Sequence, residues 1–237
     1  MEFIYISRRQ LRIGIVACLL FVIGIVGYGL VNIFYEETLS RVGELVILLD
    51  PGHGGVDGGT RDQWGNLEKD INLAVGKLVD HQLQSCGMQV LMSRKGDIAL
   101  APFTGQPGRH RRDLLERIRR AREENCLFLV SIHCDWSRDV REMGAKVFYN
   151  ALQPESKNLA SLIQQELNRV QIRQRKEAPG KYLMIRQEGI TGVIVEVGFL
   201  SNSQEALLLQ NELHRSRLAF AISRGILKYS QSFLDGT

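Results

Sequence analysis

The sequence predicts an α/β domain with a mostly parallel sheet flanked by helices, preceded by one transmembrane helix. Two observations predict it. From Glu44 onward, short β-branched runs alternate with longer segments of helical period, the pattern of strand–helix–strand units. Ahead of them, Ile13 to Tyr35 reads IGIVACLLFVIGIVGYGLVNIFY and contains no charged residue. With 237 residues, 44% of them hydrophobic and 24% charged, the chain can fill one ordinary core and carry an appendage.

At helical rise the apolar run crosses about 30 Å of hydrocarbon. Arg8, Arg9 and Arg12 precede it and Glu36 and Glu37 follow, so the charge bias places the N-terminus in the cytoplasm and everything after Tyr35 outside. The run exceeds a signal-peptide core and no clear A-x-A site follows, which favours an uncleaved single-pass anchor over a cleaved signal. The expected organisation is therefore a cytoplasmic N-terminus and anchor over 1–35, a linker over 36–44 and a catalytic domain over 45–232. A formal charge of +4 selects no partner class, and nucleic acid is not expected of an exported domain.

ELVILL is the first strand. Ile71, Val75, Leu78, Val79 and Leu83 recur at helical spacing between Glu68 and Ser85, and Gly87 stops that helix before the second strand, MQVLMSR. A polar loop leads to an arginine-rich helix over Arg111 to Asn125, then a third strand, LFLVSIH. In that helix Asp113 with Arg117, Glu116 with Arg120, and Arg119 with Glu123 stand four apart, the spacing of a solvated face laced with ion pairs. The strand AKVFYN, a helix near Glu155 to Arg169 and a charged connection precede a buried strand, GVIVEVGFL, and a terminal helical stretch reaching Tyr229. Ser201 with Gln204 fits a capping box for its start. Cys18, Cys86, Cys126 and Cys134 show no disulfide framework and no CxxC pair, so they are expected to be small apolar residues without chemistry.

His53 follows the first strand and His133 ends the third, both at the carboxyl edge of a parallel sheet, where ligands bind. Glu68 stands in the first turn of the first helix, which returns to that edge if the loop from Gly54 to Leu67 folds back. Glu196 lies within VIVEVGF, where an unpaired carboxylate costs several kcal/mol of desolvation. Two imidazoles and a carboxylate are the ligand set of catalytic zinc, with a further glutamate as proton carrier. His53, Glu68 and His133 are thus candidate ligands and Glu196 the candidate catalytic residue. Hydrogen-bonded histidines, a Glu68 that complements the helix dipole and a Glu196 paired with a buried arginine are the alternatives, and spacing alone leaves them open.

LDPGHGGVDGGT, EKDINL, RIRRAREENCLFLVSIHCD, GAKVFY and VIVEVGFLSN, in this order, resemble the zinc-dependent N-acetylmuramoyl-L-alanine amidases, the amidase-3 family, over about residues 45 to 230. The resemblance places His53, Glu68 and His133 on the family's zinc ligands and Glu196 on its catalytic glutamate. It implies a six-stranded sheet and hydrolysis of the bond between the lactyl group of N-acetylmuramic acid and L-alanine of the peptidoglycan stem. GRHRRDLLERI and GILKY further resemble the sporulation branch, the germination-specific amidases that help make muramic δ-lactam in spore cortex. Cys134 and Asp135 depart from the family's usual small or apolar residue and asparagine. The short span from His133 to Gly144 leaves no room for a self-blocking helix. Two other functions compete: a cell-wall peptide-binding module that awaits an activating partner, and a zinc carboxypeptidase or endopeptidase acting within the stem.

Overall fold

The computed structural model describes residue 17 and residues 19–31, 45–102, 104 and 106–235. The chain divides into two units at residues 41 and 42. In the first, residues 19–31 form helix α1, and apolar side chains along it, such as Leu20, Phe21, Ile23 and Tyr28, are exposed. Among the described residues no helix is long and apolar enough to cross a membrane. The remainder of the Ile13–Tyr35 run, apart from residue 17, lies outside the described residues, as do Cys18 and the 36–44 linker.

The second unit is an α/β domain. Its elements are β1 (Val46–Pro51), α2 (Glu68–Ser85), β2 (Gln89–Met92), α3 (Arg109–Glu123), β3 (Phe128–Asp135), β4 (Lys146–Tyr149), α4 (Pro154–Leu167), β5 (Ala178–Pro179), β6 (Thr191–Phe199), α5 (Ser203–Gln210) and α6 (Glu212–Asp235). They build a six-stranded sheet in the order β2-β1-β3-β6-β4-β5. β2, β1, β3 and β6 run parallel, whereas β4 is antiparallel to β6. The expected sheet is therefore present, mostly parallel and flanked by helices.

Alternation along the strands explains the layers. Ile47, Leu49, Phe128, Val130, Val193 and Val195 point to one face, where they share a core with α2, α4 and α6. Leu48, Leu129 and Ile194 point to the other and pack with Ile118 and Ala121 of α3. Complete burial of each such side chain contributes about 1.5–3 kcal/mol.

Three local expectations are corrected. The terminal helical stretch is two helices, broken at Asn211, whose backbone is extended, and it continues past Tyr229 to Asp235. The cap of α5 is Asn202 rather than Ser201, because the Asn202 carboxamide accepts the Glu205 N–H at 3.0 Å. The connection between α4 and β6 holds β5 and a short 3-10 turn, Leu183–Ile185, pieces too brief to leave a periodic signal. Between β3 and β4 the chain makes no helix, in keeping with the short span there.

The largest correction concerns α3. Arg119 and Glu123 pair on its exposed side as the spacing suggested, but Arg117 is 1% exposed and lies in the interior with Asp113. Its Nη1 pairs with Asp50 at the end of β1, and its Nη2 lies 2.8 Å from Asp113. It also donates to the carbonyls of Pro51, at 3.0 Å, and His53, at 2.7 Å. Asp50 accepts in addition from the hydroxyls of Ser93, at 2.5 Å, and Ser131, at 2.6 Å. From β2's end, buried Arg94 donates to the carbonyls of Pro51, Gly52 and Lys69 at 2.8, 2.9 and 2.7 Å. Two buried guanidiniums thus satisfy the backbone of the turn that leaves β1.

Arg117→Met leaves Asp50 and Asp113 buried without a cation, and it is expected to cost about 3–5 kcal/mol, read as a lowered denaturation midpoint. Burial alone raises the Asp50 carboxyl, but Arg117, Ser131 and Ser93 outweigh it and hold the group below its ordinary value. Its stabilisation is therefore complete above the unfolded carboxylate range, about pH 4, and is lost as pH falls through the lower folded value. Denaturation midpoints followed into that acid range are expected to drop in the native chain.

Candidate metal centre

The turn after β1 brings its histidine to the sheet edge in a conformation few side chains adopt. His53 has φ 61°, and Gly54 and Gly55 on its far side have φ 131° and 58°. On its near side, a Cβ at Gly52 would stand 2.1 Å from the His133 ring, so only glycine lets β1's turn pass beside β3's histidine. Gly59 is equally confined, since a Cβ there would lie 2.4 Å from Glu68 Oε2 and 2.8 Å from the His53 ring.

Glu68 is the first residue of α2, and its carboxylate is buried against two histidines. Its Oε1 lies 3.1 Å from His53 Nε2 and 2.9 Å from His133 Nδ1. The rings of the two histidines meet edge to face, 4.9 Å between centroids. Backbone N–H groups of Thr60, at 2.9 Å to Oε2, and of Cys134, at 3.2 Å to Oε1, fix the carboxylate, with the Asn72 carboxamide donating at 3.2 Å. Burial opposes its charge, but His133 and His53 hold the carboxyl far below its usual range.

One donor atom from each of His53, Glu68 and His133 falls within 4.8 Å of the others, the single such group of three among the described residues. Three donors from separate segments, two nitrogens and one oxygen, gathered within 4.8 Å of one another beside confined glycines, are a donor set that fits a zinc-type ion. The folding back of the Gly54–Leu67 loop, on which the sequence argument depended, is realised: Glu68 N–H donates to the Thr60 carbonyl at 2.9 Å and Lys69 N–H to the Gly58 carbonyl at 3.2 Å.

Glu196 stands beside this group rather than within it. It is in register with His133 across the parallel β3–β6 pair, so both side chains leave the same face. Its Oε2 is buried without a hydrogen-bond partner, and among the described residues no arginine or lysine pairs with it. Burial, then the charges of Asp135 and Glu68, push its carboxyl well above the ordinary value. The buried-arginine alternative is thereby removed: the interior arginines serve Asp50 and the turn backbone.

Asp57 is a residue that sequence reasoning did not single out. Its Oδ1 lies 3.1 Å from His53 Nδ1, close enough for an ion pair though off the line of a hydrogen bond. Its Oδ2 reaches Arg109, at 3.5 Å, and His110, at 3.3 Å, at the start of α3. Burial lowers the His53 imidazole, but Asp57 and Glu68 prevail and raise it to about 9. A position four residues past His53 in GHGGVDGG was the available signal. Cys86, Cys126 and Cys134 form no disulfide, and Cys126 and Cys134 are buried.

Comparison with known proteins places this geometry in context. Residues 47–228 match the family described as N-acetylmuramoyl-L-alanine amidase. The chain is 39% identical over 193 residues to the germination-specific N-acetylmuramoyl-L-alanine amidase of Bacillus subtilis, covering 78% of this chain and 79% of that one. Among solved structures it is similar to the CwlD amidase from Clostridioides difficile in complex with the GerS lipoprotein, at 33% identity and a TM-score of 0.72, over 78% of this chain and 98% of that chain. An N-acetylmuramoyl-L-alanine amidase from Clostridium difficile 630 is similar at 28% identity and a TM-score of 0.70, over 81% and 98%.

A carboxylate on the far nitrogen of a ligating imidazole sets its orientation. Asp57→Asn is expected to weaken divalent-ion affinity about 10- to 100-fold in competition with a chromophoric chelator, with circular dichroism unchanged. Undiminished affinity would remove Asp57 from the centre.

Proposed function

The chain belongs to the N-acetylmuramoyl-L-alanine amidase family of hydrolases, and we propose that it cuts the amide between the lactyl group of N-acetylmuramic acid and L-alanine with zinc held by His53, Glu68 and His133. The observation that carries this reading is the meeting of those three donors beside an unpaired buried glutamate. Zinc bound there supplies a Lewis acid that polarises an amide carbonyl and makes water nucleophilic near neutral pH. Glu196 would take a proton from the attacking water and return it to the leaving nitrogen of L-alanine, an exchange suited to a carboxyl that burial and the charges of Asp135 and Glu68 raise above its ordinary value. Glu68 holds both imidazoles by one oxygen, and Asp57 fixes His53 from behind.

The setting we propose is extracytoplasmic, on a single-pass anchor. The charge-free run from Ile13 to Tyr35, the arginines before it and the glutamates after it support this, as do the bare apolar side chains of α1. A role in spore cortex, making muramic δ-lactam, is supported by the likeness to the germination-specific amidase. An activating protein partner is supported by the similar amidase whose structure is a complex with a lipoprotein.

Metal analysis of the purified chain is expected to find zinc that is lost on substituting His53, Glu68 or His133 by alanine. Glu196→Gln is expected to keep the metal and lower kcat by about 10²- to 10⁴-fold. Mass analysis of peptidoglycan digests should show intact stem peptides released from lactyl ends, from cortex-type wall above all. Shortened stems, or a Glu196→Gln enzyme of full activity, would overturn the assignment.

A further inference from the structure

Immediately past Glu196 the ladder between β3 and β6 slips. His133 pairs with Glu196 and Asp135 with Phe199, so one residue of β3, Cys134, faces two of β6, Val197 and Gly198. This is a β-bulge, a device that bends a strand and re-aims the side chains beside it. His133 and Asp135 stand two apart and share a face of the sheet. Their partners Glu196 and Phe199 stand three apart, and they share that face only through the extra residue. The direction in which Glu196 leaves the sheet is therefore set by whatever holds the bulge.

Glu205, in the first turn of α5, holds it. Its Oε2 accepts from the Phe199 N–H at 2.8 Å, where the ladder resumes, and its Oε1 and Oε2 accept from the Gly144 N–H at 2.8 and 3.1 Å. Gly144 leads into β4, whose Lys146 is in register with Glu196 from the other side. A Cβ at Gly198 would lie 2.9 Å from the Glu205 carboxyl carbon, so the bulge packs directly on the carboxylate. Glu205 is itself fixed: its N–H donates to the Asn202 carboxamide at 3.0 Å, and that carboxamide donates to the Val140 carbonyl at 2.8 Å. Arg175, whose charge reaches Glu205, pairs with Glu142 instead, and burial raises the Glu205 carboxyl above its ordinary value. A buried acid without an ion pair costs desolvation free energy that an apolar side chain would not. What it secures is the backbone on both sides of Glu196.

Resting on the amidase reading, in which Glu196 carries the proton, we propose that Glu205 is a positioning residue for that reaction. It pins the bulge and the entry to β4, and so holds the Glu196 carboxyl in the direction from which it serves the group of His53, Glu68 and His133. It supplies no donor to that group. Its effect on the reaction is exerted through Glu196.

The test uses the full chain in detergent, loaded with zinc, and a muropeptide substrate. Glu205→Leu removes both acceptors, whereas Glu205→Gln keeps the shape and one acceptor oxygen. The leucine variant is expected to lose about 10²-fold in kcat, with KM unchanged and zinc affinity unchanged in competition with a chelator. The glutamine variant should recover part of that loss. In a Glu196→Gln background either substitution should cost less than about twofold more, because the residue through which it acts is already disabled. A further large loss in that background, or weakened zinc binding, marks a general structural role and overturns the proposal. A second readout needs no turnover: with cobalt(II) in place of zinc, the paramagnetic shift of the Glu196 carboxyl carbon should change in both Glu205 variants while the His53 and His133 rings keep theirs. Full kcat in the leucine variant, or an unmoved Glu196 resonance, also overturns it. A native chain that releases no stem peptide, with the Glu196 resonance still displaced in the variants, overturns the amidase reading and leaves the positioning standing.

Discussion

The structure depends on a pair of buried guanidiniums. The chain leaving β1 must turn at once, past His133, with its carbonyls facing inward where water cannot reach them. Arg117 from one side and Arg94 from the other donate to those carbonyls, at Pro51, Gly52 and His53. Charge on Arg117 is tolerable in the interior only because Asp50 and Asp113 face it, and Asp50 in turn has the hydroxyls of Ser93 and Ser131. The left-handed backbone of His53 is a strained state that persists because its surroundings leave the turn no other course. An imidazole so placed is aimed by the frame beneath it, not by its own preference.

Electrostatics then divide the glutamates by task. Glu68 and Glu196 are both buried at the same edge, yet Glu68 meets two imidazoles and backbone N–H groups, whereas Glu196 meets apolar neighbours and other acids. One is kept charged and the other is driven toward its neutral form. Two neighbouring carboxyl groups thus differ in proton affinity because one faces imidazoles and the other faces acids.

Much of this was legible in the sequence, and the exceptions have physical causes. The strands and the helices that cover them were visible because period-two and period-3.6 burial leaves a pattern in the apolar residues. The convergence of His53, Glu68 and His133 was visible because a parallel sheet collects strand ends at one edge. Arg117 was misread because its partners are divided: Asp113 is four residues away on the same helix and looks like a surface pair, while Asp50 is remote in sequence and cannot be seen from spacing. Asp57 was passed over because an aspartate among glycines reads as a turn former. The Asn202 cap lay one residue beyond the expected one, since Glu205, which a capping box would turn back on the cap, instead reaches out to the N–H groups of Gly144 and Phe199.

The sheet's outer margin has a consequence of its own. β5 is two residues long and ends on Pro179, which has no N–H to offer a newcomer, and its neighbour Gly180 already gives its N–H to Tyr149. A foreign strand arriving on that side finds almost no ladder to extend. Growth of the sheet from copy to copy is thereby discouraged along this margin, whatever the local density of the domain.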